Sequence, residues 1–228
     1  MVQNMISTNE QNNLLVEIGN KLQNETVIYA IGGTAMMFLG FKEATKDIDL
    51  VFTKDEDRKA FYNVAKSLGY KEMDPIIVYG VKDNRPIMIN LGDSRLDLFL
   101  IDIIDFKFSE GMQKRAVQIH QFGKNLILKI ADKHDIIVMK CATNRTRDED
   151  DIVNIIKNSS IDWDIIIEET KTQVGLGIEI AFLKMGELIE KLIYTHKLNI
   201  SKKLGDVFYD LLKNQIEEKK KKYDKEKL

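Results

Sequence analysis

Apolar residues recur along this chain with two different periods, which alternate up to about residue 130 and give way to the helical one alone beyond it. Leu14, Leu15, Ile18 and Leu22 stand at helical spacing after a polar start, which predicts a helix over Asn9–Leu22. The β-branched and apolar run Thr26–Ile31 predicts a strand that Gly32-Gly33 stops, followed by a short helix over Thr34–Leu39 closed by Gly40. Asp47–Phe52 predicts a second strand, and Asp55–Leu68 a helix with Phe61, Ala65 and Leu68 on one face and Gly69 as its stop. Three β-like runs follow, Ile76–Val81, Pro86–Leu91 and Arg95–Ile101, and the turn residues Asp83-Asn84 and Gly92-Asp93-Ser94 between them predict a meander. A helix over Ser109–Val117 and short strands near Ile119 and Leu126 complete this mixed half. From Asp132 onward the period is helical throughout, in Ile136–Cys141, Asp150–Ile156, Ile165–Thr170, Ile178–Ile193 and Val207–Ile216. The predicted fold class is therefore α/β in the α+β sense. A mixed sheet flanked by helices occupies residues 1–130, and an all-α domain over residues 131–228 packs against it.

Composition narrows the class. The chain has 228 residues, 44% hydrophobic and 31% charged, the balance of a globular protein with a sizeable core. Lys plus Arg (34) nearly cancels Asp plus Glu (36), and the net charge of -2 supplies no overall field for a polyanion. Any nucleic-acid contact must be a local patch. Cys141 is the single cysteine, which excludes an intramolecular disulfide and suits a reducing cytoplasm. The longest uncharged stretch, Thr26–Phe41, is shorter than the roughly 20 apolar residues that a bilayer requires, and it contains two adjacent glycines. The start of the chain, with Asn4, Asn9, Glu10, Asn12 and Asn13, lacks the basic and apolar regions of a secretory signal. A cytoplasmic protein without a membrane span is expected. The lysine run Lys219–Lys222 reads as a solvated helix end.

The chemistry concentrates in three places. Asp47 and Asp49 stand two apart in a predicted strand, whose period of two sends both carboxylates to one side. Two like charges so close disfavour each other unless a cation neutralises them, although aspartates also cap turns where strands begin. Asp97 lies inside the apolar run Leu96-Asp97-Leu98-Phe99-Leu100, where a lone buried carboxylate calls for a metal or a cationic partner. Arg95, two residues earlier, is the candidate partner. If Asp97 lies beside the Asp47 strand, the three carboxylates could hold two metals roughly 3.5 to 4 Å apart. Gly32-Gly33-Thr34 sits between a strand and a helix, where glycines let a phosphate approach the backbone and the Thr34 hydroxyl adds a donor. Its spacing is neither that of a P-loop nor that of a dinucleotide fingerprint. His120, His134 and His196 show no metal spacing, Cys141 reads as an inert core thiol and Trp163 as a packing anchor.

The combination Ile31-Gly32-Gly33-Thr34-Ala35, then Thr45-Lys46-Asp47-Ile48-Asp49-Leu50, then Asp97 on a later strand resembles the polymerase-beta-like nucleotidyltransferase superfamily. Within it the chain looks most like the AbiEii-type group, which includes toxin components of toxin and antitoxin pairs. The run Asp135–Lys140 and the charged segment Asn144–Ile152, with Arg145, Arg147, Asp148, Asp150 and Asp151, is similar to that group's helical Lys-to-Arg-to-Asp segment. The resemblance covers about Val27 to Ile156. It implies that Asp47 and Asp49 bind two Mg²⁺ or Mn²⁺ ions, and that Asp97 binds the catalytic ion and helps activate the acceptor hydroxyl. Gly32, Gly33 and Thr34 would hold the triphosphate of an NTP, Lys140 would reach its β- and γ-phosphates, and Arg145 would assist. Asp148 and Asp151 would orient these cations. The turn is a departure, since superfamily members commonly carry Gly-Ser where this chain has Gly-Gly-Thr.

Three functions remain open on the sequence. The first is transfer of a nucleoside monophosphate from NTP to a hydroxyl of tRNA, a protein or a small molecule. The second is a catalytically silent nucleotide-binding regulatory or antitoxin-like module. The third is an interaction protein whose C-terminal helices bind a partner or a second copy. For that reading the apolar face Phe182, Met185, Leu188 and Leu192 is the candidate surface, and bundle core is its alternative.

Overall fold

The computed structural model describes residues 5–143 and 145–227. Asn144 of the charged segment and residues 1–4, Asn4 among them, lie outside the described residues. The chain divides into two compact units, Met1–Ile136 and Ile137–Leu228.

The first unit is built on a seven-stranded mixed sheet flanked by helices. In chain order its elements are β1 (Ile6–Ser7), α1 (Thr8–Lys21), β2 (Thr26–Ala30), α2 (Gly32–Phe38), β3 (Ala44–Thr45), β4 (Ile48–Val51), α3 (Asp55–Ser67) and β5 (Lys71–Met73). Then come α4 (Ile76–Tyr79), β6 (Ile87–Leu91), β7 (Ser94–Phe99), β8 (Asp102–Ile103), β9 (Phe106–Lys107), α5 (Glu110–Arg115), β10 (Gln118–Phe122) and β11 (Leu126–Ile130). The strand order is β10-β11-β2-β4-β7-β6-β5, with β11 parallel to β2, β4 parallel to β7, and the other neighbours antiparallel. The pairs β1-β3 and β8-β9 are separate two-stranded ribbons.

Local chemistry sets the boundaries. Ser7 and Glu10 form a reciprocal capping box at α1, with the Ser7 backbone N–H donating to Glu10 Oε2 at 2.8 Å. Asp55, Glu56 and Asp57 place negative charge in the first turn of α3, where the helix dipole favours it, and Lys66 lies in its last turn. The central strands are buried on both faces: Ile28, Ile48, Leu50, Val51, Leu96 and Leu98 are inaccessible to solvent. Near-continuous apolar runs are the expected signature of such strands.

One predicted strand is a helix. Ile76–Val81 was expected to open the meander, yet Ile76–Tyr79 forms α4, and the edge strand of the sheet is the preceding Lys71–Met73. Asp74-Pro75 explains the difference, because the Asp74 carboxylate accepts from the Ile76 backbone N–H at 2.9 Å and proline fixes a turn geometry. The apolar content of the segment misled the pattern, since Ile76, Ile77, Val78 and Val81 are all exposed. The two glycines also sit differently from expectation, as the first turn of α2 and not ahead of it.

A helix, α6 (Lys133–Cys141), carries the chain across the division between the units. The second unit continues with α7 (Thr146–Asn158), α8 (Trp163–Gly175), α9 (Ala181–Tyr194) and α10 (Lys203–Glu226). Helix α9 packs against α8 and α10. Phe182, Met185, Leu188 and Leu192 are all buried, so the apolar face of α9 is bundle core. Lys219–Lys222 continue α10 as an exposed helical stretch. No helix among the described residues is long and apolar enough to cross a membrane.

Candidate active site

Sheet register brings the acidic residues together. β4 and β7 run parallel with Asp49 directly opposite Asp97, so the two carboxylates emerge on the same face of neighbouring strands. Asp47 lies two residues before Asp49, just ahead of β4. One carboxylate oxygen from each of Asp47, Asp49 and Asp97 lies within 4.8 Å of the other two. Asp97 is completely buried, whereas Asp47 and Asp49 are half-buried, so the cluster has a closed inner end and an accessible outer one.

The turn between β2 and α2 holds this cluster in place. Thr34 is fully buried, and its hydroxyl oxygen accepts the Asp49 backbone N–H at 2.9 Å while lying 3.5 Å from the Asp47 carbonyl. Ile31 N–H donates to the Asp49 carbonyl at 3.2 Å, and Thr45 Oγ1 lies 3.5 Å from Asp47 Oδ1. Both glycines are closely approached by side chains of the site. A Cβ on Gly32 would stand 2.7 Å from Asp49 Oδ2, and one on Gly33 would stand 2.6 Å from Thr45 Oγ1. Gly32 also adopts φ +55°, a conformation that costs other residues about 1–3 kcal/mol. Gly32→Ala is therefore expected to displace the Asp49 carboxylate and to lower stability by about 1–3 kcal/mol. Thermal melts and a titration with Mn²⁺ check this, and an unchanged melting temperature with unchanged ion binding would contradict it.

Two further side chains close on the carboxylates. Arg95 Nε donates to Asp97 Oδ1 at 3.0 Å and its Nη2 to Asp97 Oδ2 at 3.1 Å, and the same Nη2 contacts Asp47 Oδ2. Tyr79 Oη donates to Asp97 Oδ2 at 2.6 Å. Burial pushes the Asp97 carboxyl up, to about 6, against the pull of Arg95 and the Tyr79 hydrogen bond, and the neighbouring Asp47 charge adds to the rise. For Arg95 burial opposes the charge, but Asp97 and Asp47 more than offset it and raise its pKa. Burial and the surrounding carboxylates hold the Tyr79 phenol firmly protonated, well above its ordinary range.

Arg95 entered the sequence reading only as a partner for Asp97; its contact with Asp47 is new. Tyr79 was missed because its segment was assigned to a strand. Pro75 and Gly80, which bracket Ile76–Tyr79, were the available signal for a short helix.

The predicted cations of the second unit have partners there. Lys140 is buried, and its Nζ donates to Asp148 Oδ1 at 2.8 Å and to Asp151 Oδ2 at 2.6 Å. Arg145 is exposed and donates from Nε to Asp148 Oδ2 at 2.9 Å. Burial alone would raise the Asp148 carboxyl, but Lys140, Thr143 and Arg145 together hold it below the usual carboxylate range. Lys140→Met removes the buried cation that Asp148 and Asp151 share and is expected to cost about 3–5 kcal/mol in chemical denaturation. A loss below about 1 kcal/mol, the usual value of a surface ion pair, would contradict the arrangement. Burial pushes the Cys141 thiol up to about 12, consistent with an unreactive side chain.

Chemically, the first unit presents three convergent carboxylates of the hard-oxygen type that Mg²⁺ or Mn²⁺ prefers, at separations short enough for one ion to bridge them. The glycine turn stands against the same carboxylates. No curated protein matches the chain. The family model described as "Nucleotidyltransferase of unknown function (DUF6036)" matches residues 3–178 of the 228, and the chain belongs to that nucleotidyltransferase family.

Proposed function

We propose that the chain transfers a nucleoside monophosphate from an NTP to a hydroxyl acceptor in a reaction that requires Mg²⁺ or Mn²⁺ at Asp47, Asp49 and Asp97. The convergence of these three carboxylates in a nucleotidyltransferase family member carries the proposal. The donor set fits the ion, being all oxygen, anionic and fixed by β-sheet register. A bound divalent ion supplies charge neutralisation for the triphosphate and the departing pyrophosphate. The remaining work falls to the chain. Thr34 fixes the strand bearing Asp49 through its bond to the Asp49 N–H. Gly32 and Gly33 keep the space before Asp49 and Thr45 free of side chains, and the first-turn N–H groups of α2 are the kind that helix geometry leaves without intrahelical partners. The buried face of Asp97 suits it to hold the acceptor hydroxyl's proton as the new bond forms. Lys140 and Arg145 enter as phosphate-binding cations on the sequence resemblance alone, and so does the assignment as the toxin of a toxin and antitoxin pair. Retention of all three carboxylates supports catalysis over a silent regulatory module.

The test is incubation with each α-labelled NTP, Mg²⁺ or Mn²⁺, and a panel of tRNA, protein and small-molecule acceptors. Label should move to one acceptor class and stop on chelation or in Asp49→Asn. Metal-dependent NTP binding without transfer to any acceptor would favour the silent module.

A further inference from the structure

We propose that Tyr79 is a further residue of this site, a phenolic latch on Asp97 that a divalent cation displaces as it binds. The inference rests on the reading of the three aspartates as a cation site and adds to it what governs the ion's entry.

Both oxygens of Asp97 are engaged by protein donors: Oδ1 by Arg95 Nε, and Oδ2 by Arg95 Nη2 and by the Tyr79 hydroxyl at 2.6 Å. A carboxylate offers about four lone-pair sites. Three are taken here, and the Arg95 guanidinium also reaches Asp47. These donors and an ion seek the same oxygens, and an ion that draws on more of Asp97 than its one open position competes with a donor for it.

Tyr79 is the donor built to leave. It is neutral, so moving it into water carries no penalty of charge separation, whereas Arg95 balances two carboxylates. Arg95 projects from β7 inside the sheet, whereas Tyr79 is half-buried at the end of the four-residue helix α4, whose other three side chains are exposed. Apart from the Asp97 bond, the Tyr79 ring meets Phe99 edge-on with centroids 6.0 Å apart. Immediately after Tyr79, Gly80 has φ 65° and ψ -155°, a backbone region open essentially to glycine alone, and a Cβ there would meet nothing within 4 Å. Pro75 bounds the other side of α4. A weakly packed element between a proline and a glycine hinge can swing without disturbing the sheet.

The exposed loop beyond the hinge supplies a reporter. Lys82 is a trypsin site tied down by the bond from its Nζ to Asp105 Oδ2 at 2.6 Å, and Arg85, which precedes Pro86 and so resists trypsin, donates to the Gly80 carbonyl at 3.3 Å. The second of these contacts involves the hinge itself, so release of Tyr79 should make cleavage at Lys82 faster.

The experiment titrates the chain with Mn²⁺ and follows the free-ion paramagnetic resonance signal for wild type, Tyr79→Phe and Asp49→Asn, with tryptic cleavage at Lys82 measured in parallel. Tyr79→Phe keeps the ring and its Phe99 contact but removes the hydrogen bond to a charged group. It should bind Mn²⁺ about tenfold more tightly than wild type. Mn²⁺ should speed cleavage of the wild type, and Tyr79→Phe should be cleaved rapidly without the ion. Equal or weaker binding by Tyr79→Phe, with wild type still binding through Asp49, would overturn the latch and leave the cation site standing. The proteolysis of wild type needs no variant, and cleavage unchanged or slowed by Mn²⁺ would overturn the latch as well. Absence of binding in all three chains, or binding unaffected by Asp49→Asn, would remove the cation site and the latch with it.

Discussion

Asp97→Asn is expected to cut nucleotidyl transfer by about 10³-fold or more while leaving the fold intact. The loss of rate follows from removing a charged oxygen ligand worth several kcal/mol of transition-state stabilisation, at roughly tenfold for each 1.4 kcal/mol. The retained fold follows from burial and from Asp47, which stays as a partner of Arg95. Asp97 is inaccessible to solvent, and burial pushes its carboxyl up to about 6, so its negative charge opposes folding at neutral pH. The sign can be checked by titration in EDTA. A carboxyl with a folded-state pKa above its unfolded value of 3.8 binds protons preferentially in the folded chain, so its contribution favours folding below about pH 4 and is lost as pH rises through 6. Wild type in EDTA should show that downward slope relative to Asp97→Asn, in denaturant titrations at pH 4 to 7. A variant that unfolds, or one that retains full transfer activity, would contradict the role assigned to Asp97.

Arg95→Met is expected to have the largest effect on stability of any substitution in the first unit's site. The Arg95 side chain is 11% exposed and is held by Asp97, which is fully buried, and by Asp47. Removing one partner of a buried ion pair typically costs about 3–5 kcal/mol, because the opposite charge is left uncompensated. Here two carboxylates lose a shared cation. Their proximity also makes the effect conditional: saturating Mg²⁺ should restore a substantial part of the loss, since an ion at the same oxygens substitutes for the guanidinium. Melting curves with EDTA and with Mg²⁺ check this. A small loss in EDTA, or a loss that Mg²⁺ leaves unchanged, would show that Arg95 does not neutralise the acidic cluster.

The acidic constellation was legible in the sequence for a physical reason. A carboxylate inside Leu96–Leu100 is anomalous in any buried strand, and the period of two between Asp47 and Asp49 fixes their common side. Strand pairing was beyond that logic. Only the parallel β4-β7 register, with Asp49 opposite Asp97, turns two acidic motifs 48 residues apart into one cluster. The glycines follow the strand as expected but form the first turn of the helix, and Thr34 proved to be engaged with the Asp47–Asp49 backbone, a tertiary contact that no local pattern announces. Tyr79 was hidden for a different reason. Ile76, Ile77, Val78 and Val81 resemble a buried strand in composition while lying on the surface, and local turn chemistry at Asp74-Pro75 overrode their β propensity. In the helical half, periodicity located every helix among the described residues yet underestimated α10, whose lysine-rich end carries no apolar stripe to detect.

The most direct test of a cation-dependent transfer site is anomalous scattering from Mn²⁺ in crystals of the wild-type chain grown with a non-hydrolysable NTP analogue. The expected result is an anomalous peak in contact with carboxylate oxygens of Asp47, Asp49 and Asp97, with the triphosphate beside the Gly32-Gly33 turn. Ordered nucleotide at another place, or Mn²⁺ absent from these oxygens while Arg95 still bridges Asp47 and Asp97, would contradict it.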